Sequence, residues 1–191
     1  MAAESIIDKL YQEHKSVLDC LENNGEVSLR NISDDSFKKL LALSAASYFE
    51  QVVQDLIVQF VSNQCGSDEI VISLTKTKAI NRQYHTYFDW EGKNANKFFV
   101  LFGSAFSDST KKQVCSNEKL DSAIKAFLEL GKIRNALVHL NAASYFLEKT
   151  AEEIYQLYKN AVHFTEFLST KLAAFSRPPL FVGTPPSNPT E

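Results

Sequence analysis

Proline is missing from most of this chain. All five prolines lie in the last fourteen residues, so the preceding 177 residues contain none of the residue that most reliably breaks helices. This absence predicts an all-α body over residues 1–176. Because proline lacks both the N–H donor and the freedom in φ that a helix needs, the segment from Arg177 to Glu191 is predicted to be an extended, disordered tail.

Cysteine, long apolar runs and excess positive charge are also scarce. The three cysteines form no CxxC pair and have no neighbouring histidines, which favours reduced cytosolic thiols over a zinc site or disulfides. No apolar run approaches the ~20 residues that cross a bilayer, and no signal peptide is visible, so we expect a soluble cytoplasmic protein without a membrane partner. A net charge of −3 argues against a protein that coats nucleic acid, but it permits a local phosphate site.

Apolar residues at helical spacing predict two helices in the first third of the chain. The first runs from Ser5 to Glu22 and stops at Asn23-Asn24-Gly25. Ser33-Asp34-Asp35 has the composition of an N-cap followed by acidic residues in the first turn, so it is expected to open the second helix. That helix is long and ends at Cys65-Gly66.

The segment from Ser67 to Val114 is predicted to contain short helices and loops. Ile70-Val71-Ile72 fits either a short strand or a helical turn. Asn94 and Asn96 are candidates to start a brief helix that reaches Gly103, and Ser107-Asp108 is a candidate cap for a helix to about Cys115.

Two further main helices follow. Asn117-Glu118 is predicted to cap a helix that extends to Leu140, with Asn141 as a left-handed stop. Thr150-Ala-Glu-Glu153 forms a capping box at the start of the last helix. The predicted architecture is an up-and-down four-helix bundle with short extra helices inserted between the second and third main helices.

The hexapeptide Arg134-Asn135-Ala-Leu-Val-His139 is the pattern most informative about function. Arginine is permanently charged and directs two N–H donors onto phosphate oxygens, while histidine exchanges a proton near neutral pH. Five positions on a helix separate Arg134 and His139 by about 140°, so they share a side without stacking. This combination of groups suits phosphodiester chemistry.

The third main helix carries apolar residues on two opposite sides. Ile133, Leu137 and Leu140 lie opposite the motif, whereas the residues before Gly131 fall on the motif's own side: Leu120, Ile124, Phe127 and Leu128. The second stripe suggests burial against a partner, such as a second copy of the chain, or a break of the helix at Gly131.

The stretch Leu130-Gly-Lys-Ile-Arg134-Asn135-Ala-Leu-Val-His139 resembles the signature of the HEPN superfamily (higher eukaryotes and prokaryotes nucleotide-binding). Its ribonuclease members carry arginine, a polar residue that is often asparagine, and then histidine after a short spacer. Two further stretches, from Ser44 to Gln54 and from Phe88 to Gly103, resemble prokaryotic HEPN domains of toxin and phage-defence systems. The similarity extends roughly from Asp34 to Phe175.

The resemblance implies a homodimer that cleaves RNA as an endoribonuclease, without a metal or other cofactor. The 2′-hydroxyl would attack the adjacent phosphorus and leave a 2′,3′-cyclic phosphate. In that chemistry His139 would be the general acid or base, Arg134 would hold the scissile phosphate, and Asn135 would orient the imidazole or bind the phosphate. A toxin or phage-defence effector would also have a neutralising antitoxin or defence-system partner protein.

One position departs from the family pattern. Some HEPN toxins carry a tyrosine directly before the histidine, and a partner enzyme silences the toxin by adenylylating it, whereas this chain has Val138 there.

Glu50 interrupts the apolar stripe of the second helix and is a candidate partner for Arg134. His85, beside Arg82 and Tyr84, either helps an RNA strand to stack or belongs to a core of aromatic residues.

A second interpretation of the same bundle is a non-catalytic HEPN-like module. It would bind a nucleotide, RNA or a partner protein, with Arg134 and Asn135 serving only to hold a phosphate. The basic residues Lys76, Lys78 and Arg82 either guide such a ligand or form a solvated face.

Overall fold

The computed structural model describes residues 4–66 and 68–175, and the predicted tail from Arg177 to Glu191 lies outside this part of the chain. Within it, eight α-helices and one π-helical turn account for the secondary structure. They are α1 (Ile6–Asn23), α2 (Val27–Cys65), α3 (Glu69–Leu74), the π-helical turn (Thr75–Ile80), α4 (Tyr84–Tyr87), α5 (Asn96–Val100), α6 (Ser104–Cys115), α7 (Glu118–His139) and α8 (Ala151–Phe175).

The four long helices α1, α2, α7 and α8 form the predicted up-and-down bundle. A three-residue turn joins α1 to α2, and the connection from α7 to α8 is also short enough to make those helices antiparallel neighbours. Helix α2 contacts all three of the others, and α7 packs along α8. The shorter elements lie between α2 and α7 in the sequence, and α6 packs on α7. The all-α fold is therefore confirmed.

Aromatic side chains fill the centre of the bundle. Phe49 of α2, Phe127 of α7 and Phe164 of α8 are almost fully buried, with the Phe127 ring 5.6 Å from Phe49 and 5.1 Å from Phe164. Phe88, from the segment after α4, stacks its ring on Phe98 at 4.8 Å and meets Phe127 at 4.9 Å. The inserted segment is thus attached to the same core as the long helices.

Helix α1 is attached to α8 by a row of tyrosine hydrogen bonds. The hydroxyl of Tyr155 donates to Asp8 at 2.7 Å, that of Tyr158 donates to Ser5 at 2.7 Å, and that of Tyr11 donates to Glu152. Burial raises the pKa of the Asp8 carboxyl, but hydrogen bonds from Tyr155, Ser5 and Lys159 outweigh it and lower the pKa from 3.8 to about 2.

Tyr155→Phe is therefore expected to weaken the fold in a pH-dependent manner. Because the folded-state pKa of Asp8 lies below its unfolded value, its stabilisation is complete above about pH 5 and disappears as the pH falls towards the folded pKa. At pH 7 the variant should lose about 1–2 kcal/mol of unfolding free energy, since a charged acceptor loses a partner. At pH 2.5 the loss of unfolding free energy caused by Tyr155→Phe should be smaller, because Asp8 contributes less stabilisation there.

Urea unfolding at the two pH values tests this expectation. Tyr145→Phe is the control, because the Tyr145 hydroxyl makes no hydrogen bond to any described residue. A loss that is the same at both pH values would show that Asp8 titration contributes nothing to the docking of α1.

The predicted start of the second helix was wrong. Helix α2 begins at Val27, and Ser33-Asp34-Asp35 lies inside it. Contacts with α1 stabilise this extra length: Arg30 pairs with Glu22 at 3.1 Å, and Asp34 lies 3.6 Å from the ring of His14. Tertiary contacts therefore outweigh a local capping signal.

The shorter elements follow the predicted order with shifted boundaries. The ambiguous Ile70-Val71-Ile72 is helical, α5 stops at Val100 rather than Gly103, and α6 begins at Ser104 rather than at Ser107. The predicted caps Asn117 and Thr150 are confirmed: Asn117 accepts from the Leu120 N–H, and Thr150 and Glu153 make the reciprocal bonds of a capping box.

Helix α7 is continuous through Gly131, so the predicted alternative of a break there was wrong. The second apolar stripe is also buried within the protomer, because Leu120, Ile124, Phe127 and Leu128 are all at most 5% exposed. That stripe needs no partner to cover it. The helix ends at His139 with Leu140 in extended backbone, and Asn141 does not adopt the predicted left-handed conformation.

Candidate functional site

The motif occupies the last two turns of α7. Ile133 and Leu137 are buried on the opposite face and fix the rotation of the helix about its axis. This orientation leaves Arg134 and Asn135 half-buried and His139 exposed at the final helical residue. The three predicted residues therefore share one side of the helix end, where a ligand can reach all of them.

Arg134 is oriented by two neighbours. Its Nη2 lies 3.9 Å from Oε2 of Glu50 on α2, and its Nη1 donates to Oδ1 of Asn135 at 3.2 Å. Gln54, one turn further along α2, donates to the other Glu50 oxygen at 3.2 Å. Arginine has five N–H donors, so these contacts position the guanidinium and still leave donors for an anion. The structure has the candidate pairing of Glu50 with Arg134.

An open cavity of about 620 Å³ lies against the motif. Its size falls in the usual range for small-ligand sites. Helix α7 supplies one wall and Glu50 of α2 contributes to the floor. A second wall comes from the inserted segment that follows the π-helical turn. The lining residues are Glu50, Arg82, Tyr84, His85, Trp90, Arg134, Asn135, Val138 and His139.

Trp90 holds the inserted segment against α7. A Cβ atom at position 131 would lie 2.1 Å from the Trp90 ring, so only glycine permits this contact. The Trp90 indole N–H donates to the backbone carbonyl of His85 at 3.0 Å, and Glu91 pairs with Lys132 on α7. The cavity wall is thus fixed by contacts on both sides of the tryptophan.

Tyr84 is a buried member of the cavity lining, and its phenol is influenced by the charges of Glu50 and Arg134. Burial is the main cause that raises the pKa of its phenol; the negative charge of Glu50 raises it further and Arg134 opposes the increase. The phenol therefore keeps its proton across the physiological range. Tyr84 and the nearby Tyr87 are core residues, as one of the two interpretations of the aromatic cluster predicted.

A tight turn precedes this wall. The N–H of Gln83 donates to the carbonyl of Ile80 at 3.0 Å, Asn81 has φ −57° and ψ 118°, and Arg82 has φ 59°. These angles are those of a type II turn with Arg82 at its third position, where glycine is usual. Arg82 is the member of the predicted basic patch that reaches the cavity, whereas Lys76 and Lys78 are exposed and do not line it.

Three further properties of the described residues bear on possible ligands. Cys20, Cys65 and Cys115 are free thiols. Residues 4–66 and 68–175 contain no group of three His, Cys, Asp or Glu side chains arranged to hold a metal ion. None of the helices in these two ranges is long and apolar enough to cross a membrane.

The bundle and the Arg-Asn-x-x-x-His motif on its third long helix define the class. Residues 8–174 match the family RiboL-PSP-HEPN, and the chain therefore belongs to the HEPN superfamily. Membership associates it with RNA-related and nuclease functions. Neither a curated protein nor a solved structure matches the chain.

Proposed function

We propose that the protein is a metal-independent endoribonuclease, active as a homodimer and serving as a toxin or phage-defence effector in the cytoplasm. The observation that carries the proposal is the shared cavity: Arg134, Asn135 and His139 all line it, and they lie within the residues that match the HEPN family. A guanidinium, an amide and an exposed imidazole around one open space are suited to a phosphodiester.

His139 supplies the proton transfer in this proposal. As general base it removes the proton from a ribose 2′-hydroxyl, whose oxygen then attacks the adjacent phosphorus. The bond from phosphorus to the 5′-oxygen breaks, and that oxygen takes up a proton from an imidazolium. The products are a 2′,3′-cyclic phosphate and a 5′-hydroxyl. Two imidazoles brought together by a dimer provide both the base and the acid.

Arg134 stabilises the negative charge that develops on the non-bridging oxygens. Its position is set in advance by Glu50 and Asn135, so little reorganisation is needed when the phosphorane forms. The Glu50 pair is half-exposed, with both side chains 32% accessible, and such pairs stabilise a fold by no more than about 1 kcal/mol. An incoming phosphate therefore competes with Glu50 without a large loss of stability.

The surface around His139 supports the homodimer. Val138 and Leu140 flank His139 in the sequence and are 53% and 57% exposed. Isolated aliphatic groups of this size next to a polar motif are suited to coverage by a second protomer, which would bring two motifs together. A neutralising antitoxin or other partner protein would bind the same region.

Incubation of purified protein with mixed RNA in EDTA tests the proposed activity. Cleavage should persist in the chelator, and the fragments should carry 2′,3′-cyclic phosphate and 5′-hydroxyl ends. An oligonucleotide with a single 2′-deoxy substitution at the cleaved position should resist cutting, since its nucleophile is missing. Ends of another type, or cutting at the deoxy position, would contradict the mechanism.

One observation favours a binding function without catalysis. The His139 side chain makes no hydrogen bond to any described residue, so none of these residues fixes its tautomer. In that case Arg134 and Asn135 hold a phosphate, and RNA or a nucleotide raises the melting temperature without being cut. The same incubation separates the two functions.

A further inference from the structure

The cavity wall formed by the inserted segment carries a cation that has no partner among the described residues. The Arg82 side chain is exposed, lines the cavity and forms no ion pair or hydrogen bond to a described residue. By contrast, Arg134, which lines the same cavity, is paired with Glu50. Since the two guanidinium groups outnumber the single carboxylate, the cavity attracts anions although the whole chain has a net charge of −3.

The backbone at Arg82 indicates that its side chain is held there at a cost. A φ of 59° is unfavourable for residues with a Cβ atom and is usually found in glycine at this position of a type II turn. Backbone strain of this kind persists where the surroundings enforce it, and it concentrates at ligand sites. The turn places an arginine at the cavity rim, at a position where glycine would adopt the backbone conformation with less strain.

His85 stands next to Arg82 on the same wall. Its imidazole is exposed to the cavity, while its backbone carbonyl is fixed by the Trp90 indole and Trp90 itself is fixed by Gly131. An exposed ring on a rigid backbone offers a stacking surface and a hydrogen-bonding edge for a base. Such contacts are typical of single-stranded RNA, whose bases are free to turn outward.

We propose that Arg82 and His85 form a subsite for a nucleotide that flanks the scissile bond. Arg82 binds the phosphate of that nucleotide and His85 contacts its base. The inference rests on the proposed ribonuclease function, and it defines the substrate class as single-stranded RNA with at least one phosphate beyond the scissile one. A dinucleoside monophosphate, which contains the scissile phosphate alone, lacks the group that Arg82 recognises.

The test compares substrates and variants in the full-length protein. Arg82→Gln removes the charge at similar length, Arg82→Lys restores a charge, and Lys78→Gln is the matched control because Lys78 is exposed on the same segment but outside the cavity. For each protein, kcat/KM is measured on a single-stranded oligoribonucleotide and on a dinucleoside monophosphate. Arg82→Gln should lower kcat/KM on the oligoribonucleotide, relative to kcat/KM on the dinucleoside monophosphate, about tenfold. This is the effect expected for the loss of one charged hydrogen bond.

Binding measurements keep this inference separate from the proposed activity. In a His139→Ala background, the anisotropy of a fluorescent oligoribonucleotide reports affinity without cleavage. Arg82→Gln should weaken binding and reduce the slope of log K against log salt by about 0.7, the value for one phosphate contact on a single strand. Arg82→Lys should retain that slope, and Lys78→Gln should match the parent protein.

Two results would overturn the subsite. One is an unchanged substrate ratio in Arg82→Gln while wild type cleaves RNA, which leaves the proposed function intact. The other is equal loss of binding in Arg82→Gln and Lys78→Gln, which indicates only a general charge effect. If neither wild type nor any variant cleaves RNA but binding still depends on Arg82 as described, the RNA contact of Arg82 is supported, while the ribonuclease proposal and the position of this contact beside a scissile bond both fail.

Discussion

Replacement of His139 by alanine is expected to lower the rate of RNA cleavage by a factor of about 10²–10⁴, the usual contribution of a general acid or base. The side chain lies at the end of α7, is exposed and has no hydrogen-bonding partner among the described residues. Its removal should therefore change the free energy of unfolding by no more than about 0.5 kcal/mol. Initial rates on a fluorogenic RNA and thermal melts of the same preparations measure the two effects.

His163→Ala is the matched control for this variant. His163 is also helical and its side chain is 43% accessible, and it lies on α8 beside Glu166 without lining the cavity. Wild-type rates are expected in the control. If His139→Ala and the control cleave equally well, the imidazole of the motif has no part in proton transfer, and any cleavage would have to come from other groups.

Gly131→Ala is expected to have the largest effect on stability. Within a helix this substitution normally stabilises a protein by up to about 1 kcal/mol, because alanine has the higher helix propensity. Here the added Cβ would lie 2.1 Å from Trp90, a distance that forces the indole and the attached segment to move. We expect a loss of about 2–3 kcal/mol in urea unfolding, as for an overpacked core, together with loss of the cavity wall.

The effect of Gly131→Ala should change sign when Trp90 is absent. In a Trp90→Ala background the clash no longer exists, and Gly131→Ala should then stabilise the protein by up to about 1 kcal/mol relative to Trp90→Ala alone. A double-mutant cycle in urea measures this coupling. Equal destabilisation in both backgrounds would mean that position 131 responds to something other than the indole.

Much of the fold could be predicted because its signals are local. The caps at Asn117 and Thr150 depend on side chains three residues away, and the structure has both. The start of α2 could not be predicted in this way. Its first two turns are stabilised by contacts with α1, such as the pair of Arg30 with Glu22. A local capping pattern carries no information about such contacts between helices.

The candidate site also has one part that local sequence signals predict and one part that depends on tertiary contacts. Arg134, Asn135 and His139 form a contiguous motif, so the sequence alone singles them out, and whether they act catalytically stays a prediction. The cavity wall formed by the inserted segment depends on the contact of Trp90 with Gly131, which are 41 positions apart in the sequence. In the sequence, the crowding of aromatic residues near Trp90 indicates a packed cluster, but it does not identify the helix on which these residues pack.

Glycine at position 82 would relieve the backbone of its turn, and this predicts opposite outcomes under two kinds of selection. In a library screened only for survival of heating, glycine should become common at this position. In a library screened for retention of RNA, arginine should persist in spite of the lower heat tolerance. A residue that selection keeps at the expense of robustness would then mark where this protein meets its ligand.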